Sequence, residues 1–195
     1  MSKGEETRKR IVSRTADLLN TQGYLGTPVS EIMRVAGLQK GGIYRHFESR
    51  AELAREAFEF AFARMRDRLL AAIDGKQTAT DKLLALLDVV RNAGHEDAYR
   101  GGCPIMNLSV ESDDADPELR TLARDAMGRL LGLIERIVAA GIERGEFAAG
   151  EARPRAITLA ASIEGAILLT NLYKDRTYID TVTDHLSGMV RNGFR

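Results

Sequence analysis

Lys40, Tyr44, Arg45 and His46 fall within nine residues, QKGGIYRHF (39–47), beside two adjacent glycines, Gly41 and Gly42. None of these side chains forms a nucleophile–base pair. Together they are hydrogen-bond donors and positive charge. Lysine and arginine reach phosphates or guanine edges, and a tyrosine hydroxyl donates to phosphate. A glycine inside a helix costs about 1 kcal/mol relative to alanine. In return it removes bulk, so that a backbone can come close to another surface. Ile43 and Phe47, four apart, ask for a buried face, while Lys40 with Tyr44 and Gly41 with Arg45 repeat that spacing on faces turned away from it. The spacing predicts a helix over 40–47 with one apolar side and one side suited to the edge of a duplex.

Other chemistry is poorly supplied. The sequence has no GxSxG, HExxH or Walker loop, and no GxGxxG after a strand, so no catalytic residues are assigned. The three histidines, His46, His95 and His185, are too scattered for a metal site, and no cofactor is implied. Cys103 is the single cysteine, which excludes an internal disulfide and fits a reducing, cytoplasmic setting. A role for it as a redox or electrophile sensor stays open beside ordinary packing.

Net charge is zero, with 28 basic and 28 acidic residues, but it is unevenly placed. Residues 1–50 hold nine Lys/Arg against five acids, and the remainder carries the matching negative excess. A basic head on an acidic body points to nucleic acid.

The elements that must position these residues read as helical throughout. Apolar residues make up 44% of the 195, only four prolines intervene, and no β-type alternation appears. Helices are expected from Glu5 to Gln22, from Pro28 with Thr27 as N-cap to Ala36, and from Lys40 to Phe47. A long one follows from Ser49, with Glu52 completing a capping box. Others are expected over 81–92, 105–112, 117–145, 153–173 and 178–192, about nine in all. Two short helices joined by a turn containing Gly37 make a helix-turn-helix unit. The most apolar stretch, 156–173, is broken by Thr158, Ser162, Glu164, Gly165, Thr170 and Asn171 and is not expected to span a bilayer.

The run TRKRIVSRTADLLNTQGY…TPVSEIMRVAGLQKGGIYRHFESRAEL resembles the N-terminal domain of TetR-family transcriptional regulators. Gly23, Thr27, Val29, Ile32, Ala36-Gly37, Lys40-Gly41, Ile43-Tyr44, His46-Phe47 and Ser49 to Leu53 carry the likeness. Gln39 departs from a frequent serine cap, and Met33 from a frequent alanine. The resemblance implies an all-α protein in which residues 1–50 bind DNA and residues 51–195 bind a ligand and dimerise. It implies a ligand-responsive repressor of a near-palindromic operator, released by a small molecule. DNA contacts would come from Thr27, Ser30, Gln39, Lys40, Gly41, Gly42, Tyr44, Arg45 and His46. Arg8, Lys9 and Arg10 would either reach flanking phosphates or form a solvated arm.

In the body, GGCPIMNLSVE looks like a recurring variant of the same family. Tyr99, Cys103, Met106, Asn107 and Glu111 are the candidate ligand-lining residues, four of them near one helical face. Residues 156–173, apolar on nearly all sides, are expected to bury one face in the protomer and one in a homodimer. The interface would use Ile157, Ala160, Ile163, Glu164, Ile167 and Leu168, with Glu164 alternatively in the pocket.

Overall fold

The computed structural model describes residues 2–93, 101–113 and 115–195 of the chain. Among these there are nine helices and no strand, so the expected all-α class holds. They are α1 (Lys3–Gln22), α2 (Val29–Ala36), α3 (Lys40–Ile43), α4 (Arg50–Ile73), α5 (Ala79–Asn92), α6 (Pro104–Ser112), α7 (Pro117–Glu143), α8 (Ala152–Tyr173) and α9 (Thr177–Arg191).

The chain forms two compact units, Met1–Met65 with Ala98–Arg124, and Arg66–Asp97 with Asp125–Arg195. In the first, α1 packs on α2 and α6, and α2 on α3. Its core follows the helical spacing of the apolar residues: Ile11, Ala16 and Leu19 from α1, Ile32 and Ala36 from α2, Ile43 from α3, and Ala57 and Phe58 from α4 are all sealed. Tyr24 meets Phe58 edge-on at 6.0 Å, and Phe58 stacks with Phe62 at 6.2 Å. Each such large side chain contributes roughly 1.5–3 kcal/mol when fully buried.

The first unit corrects two sequence expectations. Thr27 does not cap α2. Pro28 occupies the N-cap position, and the Thr27 hydroxyl donates to Gly23 O at 2.6 Å in a site where Thr27 is 1% exposed. Buried this way, the hydroxyl satisfies a loop carbonyl rather than the helix end, and it does not face solvent.

The second correction concerns α3, which is regular only from Lys40 to Ile43. Tyr44, Arg45 and His46 continue as a turn held by Tyr44 N–H on Lys40 O (3.1 Å) and by His46 and Phe47 N–H on Ile43 O (2.9 and 3.2 Å). Two glycines in a four-residue helix, with no side-chain cap from Gln39, leave little to propagate it. The wish of Phe47 to be buried then tightens the chain. At the start of α4, Ser49 Oγ accepts from Glu52 N–H as expected, but the Glu52 carboxylate reaches Glu48 N–H.

In the second unit α9 packs on both α5 and α8. Leu83, Leu86 and Leu87 of α5, Leu159 and Ala166 of α8, and Ile179, Leu186 and Val190 of α9 form its core with Val138 of α7. Thr78 caps α5 through Asp81 N–H at 2.9 Å. Among the described residues α8 is the one helix long and apolar enough to cross a membrane by length and composition. Its inward residues are Ala156, Leu159, Ala160 and Ala166. Ile157, Leu168, Leu169, Leu172 and Tyr173 are exposed.

Candidate nucleic-acid interface

Burial of Ile43 and Phe47, at 2% and 1% exposure, fixes which side of the 39–47 segment faces outward. Gln39, Lys40, Gly41, Tyr44 and Arg45 are exposed, and Gly42 and His46 are half-buried. Lys40 Nζ lies 6.0 Å from the centre of the Tyr44 ring, which groups the two on one patch. The glycines differ. A Cβ built on Gly42 would meet the Leu38 side chain at 3.5 Å, an ordinary van der Waals contact that packing tolerates. A Cβ on Gly41 would meet nothing within 4 Å. Gly41 is therefore not required by its own fold, and its empty flank opens to solvent.

Ser30 on α2 is exposed as well, whereas Thr27 is sealed and offers no side chain to a ligand. The basic arm divides likewise. Arg8 is not available for phosphates: its guanidinium is bonded to Glu52, to Glu56 and to His46 O, and it sits 4.4 Å from the Phe47 ring centre. The hydrogen bond to Glu56 holds the Arg8 pKa above the usual arginine value. The Glu52 carboxyl in turn lies below the ordinary carboxylate range, through its bond to Arg8 and then that from Glu48 N–H. Lys9 and Arg10 stay exposed.

Four of the five candidate ligand residues fall among the described residues. Tyr99 lies outside the described residues. Cys103 is buried at the N-cap of α6, and Met106 is half-buried. Asn107 donates to Asn20 O (2.9 Å), Asn20 Oδ1 (3.1 Å) and Gly101 O (2.9 Å). Both carboxylate oxygens of Glu111 accept backbone N–H groups, from Tyr24 and from Leu25, each at 2.9 Å. Glu111 thus holds the α1–α2 loop, and Asn107 the last turn of α1. A cavity of about 530 Å³ lies elsewhere, in the second unit, where Leu84, Leu87 and Arg91 of α5 face Thr183, Ser187 and Arg191 of α9.

The expected interface set also divides. Ile157 and Leu168 are exposed at 47% and 52%. Ile163, Glu164 and Ile167 are half-buried. Ala160, at 5%, packs inside its own protomer and is removed from the outer face. Sequence reasoning missed Leu169, Leu172 and Tyr173, whose exposure extends the apolar strip towards the end of α8. It also missed Arg50, whose Nη2 donates to Thr27 O at 2.7 Å.

Both parts of the chain are similar to known proteins. Residues 11–57 match the family model described as "Bacterial regulatory proteins, tetR family". Residues 79–186 match that of the "Tetracyclin repressor-like, C-terminal domain". An uncharacterised HTH-type transcriptional regulator of Mycobacterium tuberculosis is 30% identical over 190 residues, covering 94% of this chain and 93% of the relative. A crystal structure of a TetR transcriptional regulator from Chloroflexus aurantiacus has a TM-score of 0.92 and 39% identity, over 97% of this chain and 96% of that one. The Escherichia coli HTH-type transcriptional repressor NemR is 22% identical over 187 residues, 95% of this chain and 94% of NemR. The reduced form of NemR shares the fold, with a TM-score of 0.81 over 94% of this chain and 97% of NemR. With a helix-turn-helix at its head and a tetracycline-repressor-like body behind it, the chain belongs to the TetR family of bacterial transcriptional regulators.

Proposed function

We propose that this regulator is a cytoplasmic repressor that binds a near-palindromic operator as a homodimer and is released by a small molecule. Residues 1–50 form the DNA-binding domain in this reading, and residues 51–195 bind the effector and dimerise. The observation that carries it is the open flank of Gly41. A helix position spends stability on a missing side chain that nothing in the protomer requires, in the midst of exposed Lys40, Tyr44 and Arg45. A sugar–phosphate backbone supplies the missing neighbour. Lys40, Tyr44 and the Gly41 backbone face phosphates, Arg45 faces a base edge, and Gln39, Gly42, His46 and Ser30 complete the footprint.

Pairing supports the same reading. The outer strip of α8 is apolar over Ile157, Leu168, Leu169, Leu172 and Tyr173, and covering it with a second copy gives two reading segments. Set about 34 Å apart, they meet successive major grooves. NemR, a repressor by name, covers nearly the same length. An effector preferring the conformation with misplaced segments weakens operator binding by its differential affinity, typically ~1–3 kcal/mol.

The test is selection of bound duplexes from random DNA by the full-length protein. A two-fold symmetric site, bound with a steep log–log salt dependence, is expected. Enrichment of no sequence over the starting pool removes the operator reading.

A further inference from the structure

Between α1 and α2 run six residues, and the first five, Gly23 to Thr27, are held from two directions. Tyr24 and Leu25 present their N–H groups to the two oxygens of Glu111 on α6, a bidentate grip across more than eighty residues of sequence. Tyr24 and Thr27 present their carbonyls to Arg50 Nη2 at the start of α4, at 3.4 and 2.7 Å. A carboxylate thus takes the donors of the loop and a guanidinium its acceptors. Such charge-assisted bonds are roughly twice as strong as neutral ones.

The loop has little slack of its own. The Thr27 hydroxyl closes it on Gly23 O, and the Tyr24 hydroxyl donates to Asn20 Oδ1 at 3.3 Å. Tyr24 is fully buried against Phe58. That burial raises its phenol pKa well above the usual value and keeps the hydroxyl a donor. Gly23 has φ +104°, and a Cβ there would stand 2.9 Å from Glu111 Oε2. The backbone has been cleared so that the carboxylate can lie against it. One turn before Glu111, Asn107 fastens the same face of α6 to Asn20. Only Pro28 separates the loop from α2, and Gly37 to Gln39 separate α2 from α3.

We infer that Glu111 is a positioning residue for operator binding: from α6 it fixes the α1–α2 loop, and through it the placement of α2 and the 39–47 segment. The inference rests on the DNA-binding reading above and adds a route for its regulation. Glu111 lies in the stretch matched by the C-terminal domain model, and the loop in the stretch matched by the N-terminal one. Displacement of α6 therefore withdraws both acceptors from the loop in one movement.

The experiment compares wild type, Glu111→Ala, Glu111→Gln and Lys40→Ala as full-length proteins on the duplex that wild type selects. Glu111→Ala should bind at least tenfold more weakly with an unchanged salt slope, since no phosphate contact is removed. Lys40→Ala should flatten the slope by about one unit. Glu111→Gln keeps one carbonyl acceptor and should recover part of the loss. In hydrogen exchange, Glu111→Ala should expose the amides of 23–27, α2 and α3 while leaving α5, α8 and α9 as in wild type. Wild-type affinity in Glu111→Ala overturns the inference, and so does acceleration spread evenly over both units. Should Glu111→Ala fail to fold, Glu111→Gln carries the same comparison, and wild-type affinity with undisturbed loop amides overturns the inference there too. If wild type selects no duplex, the DNA-binding reading fails. The exchange pattern then still decides whether Glu111 positions α2 and α3.

Discussion

Gly41 separates what the fold needs from what a ligand needs. Because an added Cβ there meets no atom of the protomer, Gly41→Leu should keep the fold and hold the melting temperature at or above the wild-type value. On the selected duplex the same variant should lose at least tenfold in affinity, about 1.4 kcal/mol. Thermal melting and a titration on labelled DNA read the two effects separately. A variant that melts early and binds normally would place Gly41 among the packing residues. A side chain added at Gly42 would contact Leu38, so a variant there changes packing as well as the outer flank. At this scale the sequence was readable where chemistry is local: Ile43 and Phe47 are inward and Lys40, Tyr44 and Arg45 outward, as their spacing dictated. Thr27 was misread because a hydroxyl before proline has two uses, and burial rather than spacing chose the bond to Gly23 O. The Asn107–Glu111 spacing of four was visible too. What the two side chains meet was not, since Asn20, Tyr24 and Leu25 come from a helix and loop more than eighty residues away.

Among the elements, α1 and α4 are joined by the group that Arg8 makes with Glu52 and Glu56, closed by His46 O and the Phe47 ring. Its electrostatic part carries a pH signature. The Glu52 carboxyl is held below its ordinary value, so its contribution to stability is fully present above the ordinary carboxylate range. It is lost as pH falls through the depressed folded value. Arg8→Ala should therefore lower the melting temperature by a few degrees near neutrality, with a gap that narrows in acid. A residual difference remains from the contacts to His46 O and Phe47, which do not titrate there. A gap that widens in acid would contradict the ion-pair account. Most helices were legible from periodicity and caps, and their ends moved by only a residue or two. The exception, α3, is the element whose sequence least favours a helix, and its short length follows from the same glycines that bare its outer flank.

For the whole molecule, the proposed pairing through the apolar strip on α8 sets what species reads DNA. Leu172 is 67% exposed, on the outer face of the helix that turns Ala166 and Leu159 inward. Leu172→Glu should convert a dimer to a folded monomer in sedimentation and abolish tight binding to a symmetric site while leaving single half-site contacts weak but present. A dimer that survives the substitution would move the interface elsewhere. The apolar character of 156–173 was plain in the sequence. Its division into an inward face of small alanines and an outward face of leucines was not, because both faces score alike as apolar and only packing against α9 tells them apart. If the proposed α8 pairing holds, a protomer diluted away from its mate carries Leu168, Leu169, Leu172 and Tyr173 into water. The population able to grip two neighbouring turns of a duplex then rises with the square of chain concentration. A cell holding few copies would switch its target genes more steeply with protein dosage than effector affinity alone dictates.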